Sequence, residues 1–178
     1  MRPMGLMRPR NYVYTIAETE LGWVAIVGPP EAGKVSAIKL PAPTKNEALN
    51  RLRAGMRGEF VECNHGLRLI ARQVRDYFAG QRVAFVFEPD LAGLTEFQRR
   101  VLRATMTVPY GRVASYGRIA EMAGSPGAYR AVGQALGRNP IPVAIPCHRV
   151  VAGNGGLGGF SGGLDWKKKL LELEGVKL

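Results

Sequence analysis

Residues 115–137 read SYGRIAEMAGSPGAYRAVGQALG. Ser115 carries the short hydroxyl that caps a helix start, and the helix it opens runs through Met122 until Gly124 stops it. Ser125-Pro126 is a capping residue followed by proline at the first helical position, which fits a second helix ending near Gly137. Two short helices joined by a turn containing Gly124 and Ser125 have the form of a helix-turn-helix. Any pair of packed helices gives the same pattern, so the surroundings have to decide.

On the amino-terminal side, Thr95 can cap a helix with Phe97, Val101, Leu102 and Thr105 on one face, closed by Pro109-Tyr110-Gly111. On the other side a last helix spans Leu164–Glu174 and stops at Gly175. The first half reads differently. Tyr12–Ala17, Trp23–Val27 and Val35–Leu40 are β-branched or aromatic-rich strands separated by Gly/Pro turns, as in an antiparallel meander. Helices are predicted over Lys45–Arg53 and Leu67–Phe78, and a strand over Val83, Phe85 and Phe87 before Pro89. The predicted fold is α+β. A mixed supporting domain with antiparallel strands (1–90) precedes a mainly helical, winged-helix-like domain with the helix-turn-helix (91–178).

The chain has 178 residues, 46% of them hydrophobic, which suits a folded soluble protein. No segment approaches the ~20 apolar residues that span a bilayer. Met1–Arg10 is basic without the apolar core of a secretion signal, so the protein reads as intracellular and cytoplasmic. Net charge is +11. Residues 91–178 hold 12 Lys/Arg against 5 Asp/Glu, and Arg99 to Arg149 contain eight arginines with Glu121 as the single acid. That is either a solvated basic face or an electrostatic footprint for phosphates.

Chemistry concentrates in Pro146-Cys147-His148-Arg149-Val150. An apolar strand-like run, Ile141–Ile145, leads in, and a glycine-dense stretch follows from Gly153 to Gly163. A thiol beside an imidazole suits nucleophilic chemistry, because the thiolate is the reactive form and an ordinary thiol at a pKa of ~8.5 needs activation. On a strand the two side chains would point to opposite faces, so contact needs a turn at Cys147 or a bridging water. Cys63, the only other cysteine, reads as an inert core residue. Cys63-x-His65 offers two metal ligands at most, so no metal site is expected.

These residues, with Arg138-Asn139-Pro140, Arg130-Ala131-Val132-Gly133, Ser115-Tyr116 and Glu174-Gly175, resemble the O6-alkylguanine-DNA alkyltransferases over residues 97–178. The resemblance implies a suicide repair protein, acting without metal or organic cofactor as a monomer on double-stranded DNA bound through the minor groove. Its substrate would be O6-alkylguanine, with O4-alkylthymine as a second candidate, flipped out of the duplex. Cys147 would accept the alkyl group, with His148 as base through a water and Glu174 holding the imidazole. Asn139 would brace the turn. Tyr116 and the Ser161 amide would donate to the leaving guanine, and the carbonyls of Cys147 and Val150 would read its amine. Leu136 and Pro142 would wall the base, with Phe160 where many relatives have tyrosine. Arg130 would enter the stack, and Gln98, Gly117, Ser125 and Gly153 would contact phosphates. Tyr129 stands where small residues are common in the family. A lesion-binding protein with an idle thiol and a Cys–His hydrolase are the alternatives that the dyad and basic helices leave open.

Overall fold

The computed structural model describes residues 11–63 and 65–177; the basic start, Met1–Arg10, lies outside them. β1 (Asn11–Thr19) and β2 (Gly22–Gly28) form an antiparallel hairpin, with Val13 opposite Gly28 and Thr19 opposite Gly22. Successive residues on a strand face opposite sides. Val24 and Ile26 of β2 accordingly enter one apolar cluster, Ala25 and Val27 another. Both faces are covered, which is why Val24–Val27 is apolar throughout instead of alternating.

The expected third strand splits. β3 (Lys34–Val35) and β4 (Ala37–Ile38) belong to different sheets. Ser36 turns the chain between them, its Oγ donating to Asp90 Oδ2 at 2.9 Å. α1 (Lys45–Gly55), capped by Thr44, covers one face with Ala48 and Leu52. β5 (Glu59–Glu62) pairs parallel with β1 and was not anticipated, because Phe60 and Val61 between acids give almost no strand signal. α2 (Arg68–Phe78) covers the other face with Ile70, Val74, Tyr77 and Phe78.

The strand predicted over Val83–Phe87 does not form. Its alternation is real, with Val83, Phe85 and Phe87 partly buried against the core, but its backbone pairs with no strand. Gln73 serves it instead, donating to Ala84 O at 2.9 Å and accepting from Val86 N at 3.1 Å. Only β6 (Glu88–Pro89) reaches a ladder, parallel to β3.

The second half is helical, as expected. α3 (Glu96–Met106) begins with a capping box in which the Thr95 and Gln98 side chains each accept the other's backbone N–H. β7 (Ala114–Ser115) leads into α4 (Tyr116–Met122), whose cap is Ser115 accepting from Arg118 N. α5 (Tyr129–Leu136) starts later than Ser125-Pro126 predicts. Gly127 adopts φ +81°, a left-handed conformation that cannot continue a helix, so Ser125–Ala128 is a turn and Ala128 becomes the uncapped start. α3, α4 and α5 pack on one another, completing the helix-turn-helix.

β8 (Val150–Val151) pairs parallel with β7, and α6 (Leu164–Leu173) closes the chain. One apolar cluster runs across residue 90, joining Val24, Leu67 and Phe78 to Val101, Ile119, Ile145 and Leu170. The halves also share a backbone bond, Ile38 N to Pro140 O at 3.0 Å.

Candidate active site

The run Ile141–Ile145 is a folded loop, not a strand. Ile145 N returns to Ile141 O at 2.9 Å, and Val143 between them has φ 74° although β-branched and buried. A non-glycine residue held there costs about 1–3 kcal/mol, so the surroundings must enforce it. Asn139 does so from one amide. Its Oδ1 accepts from Ile141 N at 3.0 Å, and its Nδ2 donates to Ile145 O at 2.9 Å and Cys147 Sγ at 3.0 Å. The bracing residue therefore also touches the thiol.

After Pro146 the chain makes a 3₁₀ turn over Cys147–Arg149. The turn lets adjacent side chains diverge by less than the opposite faces of a strand would. Cys147, 4% exposed, borders a cavity of about 410 Å³ with Tyr116, Tyr129, Leu136, Phe160 and Ser161. That volume lies within the ~300–1,000 Å³ range of small-molecule sites. The β7–β8 pairing sets Tyr116 beside the turn. Gly158, at φ +68°, approaches the Tyr116 ring so closely that a Cβ there would lie 2.7 Å from it. The Tyr116 hydroxyl donates to Gly159 O and accepts from Gly159 N, both at 3.1 Å.

His148 is wholly buried, its Nε2 2.8 Å from Glu174 Oε1. Its Nδ1 is the only buried side-chain polar atom without a hydrogen-bond partner among the described residues. The carboxylate accepts and cannot donate, so Nε2 carries the proton and Nδ1 presents a lone pair. Glu174 also accepts from Arg149 (Nε to Oε2 at 2.9 Å, Nη2 to Oε1 at 2.9 Å) and from Gly111 N at 3.0 Å. Burial raises its pKa, but the bonds from His148 and Arg149 outweigh burial and hold it at about 2.

Burial pushes the Cys147 thiol up from its ordinary value, opposed by the Asn139 hydrogen bond and the Lys167 ammonium. Burial likewise lowers His148 below its ordinary 6.5, against the pull of Glu174. At neutral pH the pair is thus an uncharged thiol and an uncharged imidazole, a base ready to take a proton. Lys167, buried and lowered to about 8 by desolvation, donates to Val150 O and Gly159 O. It ties the loop before Phe160 to the end of the Cys147 turn.

The structure brings Cys147, Asn139, His148 and Glu174 together, with Tyr116, Leu136, Phe160 and Ser161 around the cavity. Val150 and Pro142 stand apart from its lining, and the Val150 carbonyl is taken by Lys167. The Cys147 carbonyl accepts from Val150 N. Arg130 is exposed at the start of α5, its guanidinium 5.8 Å from the centre of the Tyr129 ring. Gly117 and Ser125 are half-buried and Gly153 exposed, but the Gln98 amide and side-chain oxygen are spent on the α3 cap.

Sequence reasoning missed Tyr77, Lys167 and the part played by Arg149. Lys167 carried a signal: positions 167, 170, 171 and 174 form one helical stripe, and all four are buried. Tyr77 carried none, since its partner lies 97 residues away. No group of three or more potential metal ligands occurs among the described residues.

Fold and site define an α+β protein in which a helix-turn-helix unit stands beside a buried thiol–imidazole–carboxylate constellation. Residues 96–176 match the family model of the 6-O-methylguanine DNA methyltransferase DNA-binding domain. A methylated-DNA–protein-cysteine methyltransferase of Methanosarcina acetivorans is 38% identical over 162 residues, covering 91% of this chain and 97% of that protein. The protein of that name from Mycolicibacterium paratuberculosis is 57% identical over 102 residues, so the match spans 57% of this chain and 61% of the relative's length. Crystal structures of Mycobacterium tuberculosis O6-methylguanine methyltransferase, and of OGT from that organism in complex with DNA, superpose with TM-scores of 0.73 and 0.75. Each is 35% identical and covers 92% of both chains. The chain belongs to the methylated-DNA–protein-cysteine methyltransferase family.

Proposed function

We propose that this protein repairs DNA by taking the alkyl group of O6-alkylguanine onto Cys147, once per molecule. The observation that carries the reading is the bare Nδ1 of His148, backed by Glu174, next to a thiol that opens on a base-sized cavity. Inside a duplex the O6 alkyl carbon is hidden, so the base must leave the stack at a cost of a few kcal/mol. The exposed Arg130, set against Tyr129 of the cavity lining, is the side chain that would replace it. The small residues Ala128, Ala131 and Gly133 of the second helix suit a groove ~6 Å wide.

In the transfer the thiol proton passes through a water to His148 Nδ1, and sulfur attacks the alkyl carbon as the carbon–O6 bond breaks. Guanine leaves with the electron pair of that bond, its ring takes a proton from water, and the proton held by His148 is returned to that water. Donors aimed at the departing anion lower the barrier. Burial keeps the Tyr116 hydroxyl protonated by raising its pKa, and rotation about its C–O bond re-aims it from Gly159 toward the cavity. The Ser161 amide would be a second donor. The product thioether has no reductive escape, so the protein is consumed.

Duplex DNA carrying one O6-methylguanine should lose its methyl group until one equivalent per protein is reached. Cys147→Ala should bind the same duplex and remove nothing. Continued turnover by the unaltered protein, or tight binding without methyl loss, contradicts the reading.

A further inference from the structure

The supporting half reaches the relay through one side chain. Tyr77 of α2 is fully buried against Phe78, Phe85, Tyr110 and the His148 ring. Its hydroxyl stands 2.8 Å from Glu174 Oε1 and 3.4 Å from His148 Nε2. We propose that Tyr77 is a positioning residue for the alkyl-accepting reaction, holding the His148 proton on Nε2 so that Nδ1 stays bare. The inference rests on the proposed function only in taking His148 as the base.

The argument is one of donors and acceptors. A carboxylate accepts only, so the Tyr77 hydroxyl gives its single proton to Oε1 and turns lone pairs toward Nε2. A protonated Nε2 is then held by two acceptors, Oε1 and the phenol oxygen. A bare Nε2 would meet lone pairs on both, and the other tautomer is disfavoured. Glu174 does not need this hydroxyl for its own satisfaction, because Arg149, Gly111 and His148 already supply donors. Phenylalanine would fill the same space with the same packing, so the oxygen is the part that requires a reason.

The charged and titratable groups around His148 are Glu174 and Lys167 from α6, with Cys147 and Arg149 on its own turn. Tyr77 is the contribution of α2, and it stays un-ionised because burial and the neighbouring carboxylate raise its pKa. An un-ionised phenol gives the relay a donor that does not change with pH over the working range.

The test is Tyr77→Phe, read by ¹⁵N NMR of the His148 ring and by the rate at which iodoacetamide modifies Cys147, located by peptide mass. The unaltered protein should show the Nε2–H tautomer. In the variant Glu174 is the one acceptor left at Nε2, so a fraction of the Nδ1–H tautomer should appear and Cys147 should react more slowly, by at most roughly tenfold, a part of the ~10²–10⁴ that a positioned base supplies. An unchanged tautomer and rate, with only a lower melting temperature, would reduce Tyr77 to packing and overturn the assignment. Should the variant not fold, 3-fluorotyrosine at position 77, which keeps the ring and weakens the phenol oxygen as an acceptor, should shift the His148 Nε2 resonance; an unshifted resonance, or an Nδ1–H tautomer in the unaltered protein, overturns the assignment. These readouts need no guanine. A protein that passes them yet takes nothing from O6-benzylguanine or alkylated DNA refutes the proposed function and leaves Tyr77 in its role.

Discussion

Glu174 accepts donors from α2, from the Gly111 turn and from the Cys147 turn, and its carboxylate is held near a pKa of about 2 against an ordinary 4.5. A carboxylate depressed on folding contributes stability that is present above 4.5 and is lost as pH falls from there toward 2. Glu174→Gln should therefore be less stable than the unaltered protein in urea at pH 7, with the gap narrowing as the solution is acidified below 4.5. A gap that stays constant would mean that the ionised form is not what matters. The thiol and imidazole make the opposite kind of statement, since burial keeps both uncharged at neutrality. Alkyl transfer to Cys147 should be level in pH from His148's ordinary 6.5 up to about 8, where Lys167 loses the proton with which it ties Gly159 O to Val150 O. On the acid side it should fall below 6.5, as pH reaches the lowered range in which the buried imidazole becomes protonated. A rate that climbs steadily from pH 6.5 to 8 would indicate direct thiolate attack with no base. Cys147 and His148 were legible because they are adjacent in sequence, whereas Glu174, 26 residues from His148, was legible only through the family resemblance. Tyr77 was not, because its partner lies 97 residues away and is fixed by packing between distant elements; Lys167 showed only in the buried stripe of its helix.

The elements that carry the site were readable where local chemistry sets their ends. Thr95 and Ser115 have the cap geometry their sequence announces, and Gly124 and Gly175 stop helices as expected. Thr95→Ala should cost about 1 kcal/mol in chemical unfolding, the usual loss for a cap; an unchanged midpoint would show that Gln98 alone secures the start. What could not be read was tertiary. The alternation of Val83, Phe85 and Phe87 predicts a strand, yet Gln73 takes the backbone bonds that a ladder would have used. Ile141–Ile145 is apolar enough for a strand, and Asn139 folds it into a loop instead. Ser125-Pro126 looks like a helix start, and Gly127 defeats it. The approach of Gly158 to Tyr116 was equally hidden. Gly158→Ala puts a methyl 2.7 Å from the ring and forces a left-handed alanine, so it should slow alkyl transfer far more than it lowers the melting temperature. Equal losses would mean that the loop serves the fold before the site.

At the scale of the whole molecule, the amino-terminal sheet is bonded to the Asn139 turn through Ile38, and its helix α2 delivers Tyr77 to the relay. The apolar cluster continues through both halves, so thermal unfolding of the described body should be a single transition. Two separated transitions would show that the halves fold independently. The excess of arginine in the second half is a whole-molecule property too, and affinity for duplex DNA should fall linearly on a log–log plot against salt. Arg130→Ala should slow repair in duplex DNA while sparing reaction with free O6-benzylguanine, because only the duplex demands extrusion; equal slowing would place Arg130 in the wall of the cavity. The central claim, that one particular sulfur receives the alkyl group, is tested most directly by peptide mass spectrometry after incubation with duplex DNA containing O6-methylguanine. The account predicts one added methyl group on the peptide bearing Cys147 and none on the peptide bearing Cys63. Methyl on Cys63, or demethylated DNA beside an unmodified Cys147, would contradict it.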